Sequence, residues 1–314
     1  MRKIDHKGFL ELVVSYEEFI ELIRPENKEK LSSYIGAVNH KLIYRGQSDS
    51  NHLLIPSLFR DVFEYSSFIN TFNDLCFCQF AHLKSFVGGC DTNAVAIPND
   101  SYEFREKYLA DYDSIAAYNS RSWPDKALYE LLGFAQHYGY PTELLDWTYS
   151  PLVASYFAAS GVVSNKESKL DGYMSIWVFD LEKKNILNDH GRTNFEVINI
   201  PRSLNLNISS QQGCFTLVRQ DINKNHKLTY KNKRIQEVKL LPDLMEEKKQ
   251  DGLLKLTISN KNSLGVLEFC DSYSINAASL FRGPYGAAQY ALEGINKNRF
   301  ASNNNLLIKG SIPL

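Results

Sequence analysis

Two hydrophobic periods run through this chain and mark out its elements. Ser15-Tyr16-Glu17-Glu18 sets an N-cap serine three residues before a glutamate, and apolar residues follow at helical spacing. This predicts an amphipathic helix to about Ile23. Lys41–Tyr44 reads as a short buried strand. Residues 62–87 carry apolar side chains at three- and four-residue intervals and predict a long helix, ended by the glycines and proline of "VGGCDTNAVAIPNDS". A second helix is expected from Pro124 to His137. Ser150-Pro151 combines an N-cap with a proline at the first helical position, where its missing N–H does little harm, so a helix should start there. Residues 172–181, 214–218 and 253–259 read as strands, and the residues beyond 260 turn helical again.

Helices and strands interleave without a regular βαβ rhythm, which favours an α+β class over a doubly wound parallel sheet. Small mixed or antiparallel sheets flanked by helices are expected. The 314 residues divide into a helical extension (1–34), a core domain (35–220), a basic variable insertion (221–252) and a strand with helices completing the same domain (253–314). The 35 basic and 36 acidic residues argue against a generic polyanion binder and leave room for a local basic patch. No apolar run nears the roughly 20 residues that span a bilayer, and acids interrupt the N-terminal apolar stretch. Five irregularly spaced cysteines make no disulfide framework. A cytoplasmic protein without a membrane partner is the expectation.

Three stretches carry candidate chemistry. In "LIYRGQ", residues 42–47, a strand runs into Arg45-Gly46-Gln47. Arg45 is shaped to hold a phosphate with two parallel hydrogen bonds, Gly46 would let a ligand approach, and Gln47 can donate and accept. A plain ion pair of Arg45 with a carboxylate at the strand end accounts for the cation equally well. In "GFAQHYGYPTELLDWTYSPLVASYFAAS", residues 133–160, His137 and Asp146 could form an oriented imidazole, or could brace their turns. In "NLNISSQQGCFTLV", residues 205–218, Gln211 and Gln212 either flank a bulge at Gly213 or point into a cleft. Cys78 and His82 stand four apart on a helical stretch, yet no Cys-x-x-Cys accompanies them, so buried thiols are the simpler reading and no metal is expected.

Taken together these stretches resemble the FRG domain family. Tyr44-Arg45-Gly46-Gln47 is similar to its signature, and Gln136-His137-Tyr138-Gly139 with Pro141-Thr142 and Leu144-Leu145-Asp146-Trp147-Thr148 to its central motif. Pro151, Ala154 and Phe157-Ala158 fit the helix after it, and Gln211, Gly213 and Phe215 a third, weaker motif. Glu143 and Asn207 stand where the family carries arginines. The order of the motifs also resembles ADP-ribosyltransferases, and this implies an ADP-ribosyltransferase-like core with helical additions that takes NAD as substrate. By that resemblance Arg45 holds the NAD phosphates, and Thr148 or Ser150 shapes the nicotinamide-ribose pocket. Gln211 or Gln212 falls where a catalytic glutamate would sit. Tyr44, Gly46, Gln47 and Tyr138 join the implied NAD site, with Tyr149 and Tyr156 as further stacking candidates. Glutamine offers a dipole where a carboxylate would stabilise an oxocarbenium-like ribose, so the resemblance implies catalysis that is weaker, that draws on another carboxylate such as Asp146 with His137 in the same catalytic set, or that has been lost.

Residues 219–239 hold seven Lys/Arg against two acids. Lys227, Lys231, Lys233 and Arg234 are the candidate nucleic-acid contacts, against the alternative of a solvated loop. Arg282, in a second Phe-Arg-Gly at 281–283, is a minor candidate for a phosphate contact at a helix start. The resemblance implies a toxin or antiviral-defence effector that modifies a macromolecular acceptor, nucleic acid or protein, with an antitoxin or regulatory partner. The rival is a non-catalytic nucleotide- or nucleic-acid-binding module.

Overall fold

Eight strands hydrogen-bond into one mixed sheet. They are β1 (Arg2–His6), β2 (Phe9–Val13), β3 (Leu42–Gln47), β4 (Leu145–Thr148), β5 (Tyr173–Asp180), β6 (Phe195–Ile198), β7 (Gly213–Val218) and β10 (Leu253–Ser259). Their order across the sheet is β1-β2-β10-β5-β3-β4-β7-β6. Only the β2–β10 pair is parallel. Two further two-residue strands, β8 (Tyr230–Lys231) and β9 (Arg234–Ile235), make a separate hairpin. The structure is a computed structural model and describes residues 1–60, 69–110, 121–201, 210–223, 226–232 and 234–304.

The pleat sorts side chains by face, as its two-residue period requires. In β5, Met174, Ile176 and Val178 join one core, while Trp177 and Phe179 join another on the opposite face. The first core is closed by α1 (Tyr16–Ile23), α6 (Pro151–Ser164) and α8 (Ser263–Ser272), with Phe300 of α10 (Gly283–Asn303). The second is closed by α7 (Leu241–Glu247). A third core gathers α3 (Phe72–Thr92) and α5 (Tyr129–His137) against Phe215 and Leu217 of β7. The short helices α2 (Lys28–Ser33), α4 (Tyr102–Tyr108) and α9 (Ala277–Leu280) complete the set among the described residues.

Local signals read well. Ser15 and Glu18 close a full capping box before α1, and the Ser150 hydroxyl accepts from Val153 N at the start of α6. Four expectations are corrected. The strands form one large sheet rather than small ones, because partners far apart in the chain pair, as Leu254 does with Leu10. Residues 1–34 hold helices but begin with the β1–β2 hairpin, turned at Gly8 with φ +78° and docked on β10. The long helix begins at Phe72, where Thr71 and Asp74 form a capping box, and it runs through Gly88 and Gly89 to Thr92. Buried Leu83, Val87 and Cys90 hold that last stretch against the core, so packing overrides glycine's weak helix propensity. Residues 62–68 of that expected helix lie outside the described ones. The helix expected from Pro124 is a 3-10 turn at Lys126–Leu128 followed by α5. Among the described residues, no helix is long and apolar enough to cross a membrane.

Candidate functional site

The site begins where the sheet splits. β3 and β4 share a single register pair, Tyr44 with Thr148. Beyond it the strands part, and the Arg45 side chain fills the opening. Its guanidinium donates to the main-chain oxygen of Asp146 at 2.7 Å and lies 3.5 Å from Asp146 Oδ2. Gln136, in the last turn of α5, donates to Asp146 Oδ1 at 2.6 Å, and its own carbonyl oxygen accepts from the Thr142 hydroxyl. The Asp146 carboxylate is therefore held by two donors yet remains 60% exposed, while Arg45 is only 16% exposed.

Electrostatics follow from that burial. Loss of solvent pulls the Arg45 pKa down and Arg60 adds to this, while Asp146 opposes both. Burial likewise pulls His137 below the usual histidine value, against the attraction of Asp146, which favours a neutral imidazole at neutral pH. The His137 ring meets Tyr138 edge-on at 5.1 Å.

A cavity of about 820 Å³ opens over this split. Arg45, His137, Asp146 and Gln211 all line it, as do Tyr44, Gly46, Tyr138 and Thr148. Asp146 is the sole carboxylate among the described lining residues. The facing wall is one the sequence pattern did not announce. Phe157 of α6 packs at right angles on Phe281 at 6.1 Å, and Phe281 packs on Tyr285 at 5.8 Å. Arg282 stands between them and donates to Ser210 Oγ at 2.7 Å. The minor candidate thus faces the same cavity as Arg45. Gln136 and Phe157 lay inside the quoted motif and were recoverable from it, whereas Phe281 and Tyr285 had only the repeated Phe-Arg-Gly as a pointer. A smaller cavity of about 230 Å³ shares Arg45, Gln136 and Asp146 with the first and is lined on its far side by Ser57 and Arg60.

Several residues serve other ends. Gln47 is buried, accepts from Trp177 Nε1 at 2.7 Å and donates to Leu53 O at 3.1 Å, so its amide is committed to the core. Ser150 is a helix cap outside the cavity wall. Gln212, exposed with φ +49°, turns the chain into β7 and offers its carbonyl to Tyr149 N, so the bend falls there rather than at Gly213. Thr148 lines the cavity but donates to Gln211 O at 2.6 Å, tying β4 to the glutamine turn. Gln211 Nε2 donates to Leu280 O at 3.4 Å.

Gly46 also needs a different account. A Cβ there would lie 2.0 Å from Ala154 O and 2.8 Å from Ala158 N. The glycine lets α6 lie directly on β3; helix backbone, rather than a ligand, fills the space.

Glu143, at one of the two departures from the arginine pattern, is 3% exposed. Its Oε2 accepts from Gln79, whose Oε1 accepts from Trp123 Nε1 at 2.6 Å, and burial pushes its pKa up. Asn207 and Lys233 lie outside the described residues. Lys231 sits on β8 and Arg234 on β9, while Lys227 precedes the hairpin and bridges to Thr71; all three lie outside the wall of the large cavity. Cys76 is buried and Cys78 half-buried on α3, and the described residues contain no group of three or more His, Cys, Asp or Glu placed to hold a metal ion.

No curated protein and no solved structure matches the chain. The FRG domain family model matches residues 40–167, a span holding β3, α5, β4 and most of the cavity's polar wall, and over those residues the chain carries an FRG domain.

Proposed function

We propose that the large cavity binds NAD and that the protein transfers ADP-ribose from it to a macromolecule. The observation that carries this reading is the meeting of Arg45 with Asp146, the single carboxylate on the described wall, in a cleft that also holds His137 and Gln211. Arg45 supplies a fixed cation for a diphosphate, and Phe157, Phe281 and Tyr285 supply flat apolar surface for a ring. NAD brings a glycosidic bond to nicotinamide: the bond breaks with its electron pair leaving on nicotinamide, and a new bond forms between the same ribose carbon and the acceptor's oxygen or nitrogen. Asp146, oriented by Arg45 and Gln136, stabilises positive charge on the ribose and takes the acceptor's proton. Gln211 hydrogen-bonds a ribose hydroxyl without adding charge.

Asp146→Asn tests this directly. The side chain is more than half exposed, so folding should survive, while nicotinamide release falls on the order of 100- to 1,000-fold, the usual loss when one preorganised electrostatic group is removed. Release that is undiminished in Asp146→Asn refutes the role.

The neutral Gln211 in the cleft favours a second reading, a nucleotide-binding module without turnover. That reading expects NAD to raise the melting temperature while no nicotinamide appears.

A further inference from the structure

The smaller cavity leads to an arrangement of charge that nothing in the proposed NAD site requires. Arg60 lines this cavity and forms an isolated antiparallel bridge with Arg234 of β9. Arg234 in turn pairs directly with Lys231 of β8. Residues directly opposite one another across antiparallel strands project their side chains on the same face, about 5 Å apart. Arg60, Arg234 and Lys231 therefore leave the backbone in one row on one face, about 10 Å from the first Cβ to the last, beginning at Arg60 on the wall of the smaller cavity.

Such a row is locally unfavourable, because like charges directly across a strand pair repel. Among the described residues no carboxylate forms an ion pair with any of the three. The Arg60 guanidinium donates to Ile55 O, at 3.1 and 3.0 Å, and the acid closest along the hairpin, Glu237, instead accepts from Thr229 N at 2.9 Å. Two other cations of the basic segment are neutralised: Arg219 pairs with Glu196 and Lys239 with Glu247. Repulsion that stands uncompensated beside a cavity is relieved by a polyanion from outside.

We propose that this row binds the phosphodiester backbone of a single-stranded nucleic acid and leads one nucleotide into the smaller cavity. One row of cations follows one backbone, and about 230 Å³ admits a base-sized group but not a base pair. The shared wall of Arg45, Gln136 and Asp146 then sets that nucleotide beside the larger cavity. Its role as the ADP-ribose acceptor rests on the function proposed above; the binding itself does not.

The test uses the full chain without NAD. Fluorescein-labelled single-stranded DNA and RNA 20-mers are titrated by anisotropy at several salt concentrations, alongside Arg60→Ala/Lys231→Ala/Arg234→Ala. A Lys231→Ala/Arg234→Ala pair keeps the Arg60–Ile55 hydrogen bonds as a folding safeguard. The triple variant should bind on the order of 10- to 100-fold more weakly, with a salt slope shallower by about 2, since each phosphate that a cation no longer neutralises removes about 0.7. Which of DNA or RNA binds identifies the strand. Equal binding by wild type and variants overturns the inference, as does wild-type protein that binds neither strand. Nicotinamide release is followed separately: binding without release leaves this surface standing and removes the transferase.

Discussion

Gly46→Ala separates two explanations for the glycine of the signature. If it exists to admit a ligand, alanine should harm binding and spare the fold. The structure argues the reverse. The added methyl would sit 2.0 Å from Ala154 O, about 1.4 Å short of ordinary contact, and 2.8 Å from Ala158 N. Both obstacles are backbone, so no rotamer change relieves them, and α6 must move away from β3. That helix buries Val153, Ala154, Ala158, Ala159 and Val162 to 1% exposure or less, and retreat would open gaps along the whole row. Overpacking of a dense core costs about 1–3 kcal/mol and sometimes more; clashes with rigid backbone belong at the upper end, so about 3 kcal/mol is expected. At about 2 °C per kcal/mol for a chain of this size, the melting temperature should drop by about 6 °C. Urea unfolding followed by far-ultraviolet circular dichroism and tryptophan fluorescence measures this. An alanine variant within about 0.5 kcal/mol of wild type that has nonetheless lost nucleotide binding would refute the packing argument and restore the ligand one.

Glu143→Gln should stabilise the protein increasingly as pH rises. Burial lifts the folded-state pKa of Glu143 above its ordinary value of 4.5, so this group's contribution is fully present below about pH 4.5 and is lost as pH climbs through the folded value. The amide stays neutral throughout, and urea midpoints at pH 5 and pH 9 should show its advantage widening; a constant difference contradicts the assignment. Tyr44→Phe should stabilise by about 1 kcal/mol, because the buried Tyr44 hydroxyl has no hydrogen-bond partner and its removal lifts a desolvation penalty. Equilibrium unfolding that shows a loss of similar size would mean the hydroxyl is satisfied in solution. Thr71→Ala should cost about 1 kcal/mol, since its hydroxyl accepts from Asp74 N at the head of α3; an unchanged unfolding midpoint would show that packing alone starts that helix.

Much of the site was legible because its signals are local or compact. The caps of α1 and α6 depend on atoms within one helical turn, and the apolar runs of β5 and β10 declare buried strands wherever they pair. The motif stretches around Arg45, His137, Asp146 and Gln211 pointed to one cleft, and the structure brings all four to its wall. Other features depend on partners more than a hundred residues away, which no window along the chain can contain. β2 becomes a sheet strand because β10 lies beside it, and Gly46 is constrained by the carbonyl of Ala154. Arg282 reaches the cavity because α10, which it precedes, folds back over α6. Along the chain Lys231 and Arg234 fit a nucleic-acid contact or a solvated loop alike; only the fold sets Arg60 beside Arg234, because a row of like charges is defined by spacing across strands rather than by order along one. Short-range sterics and capping operate between neighbours in sequence, whereas close packing and charge–charge repulsion operate between neighbours in space.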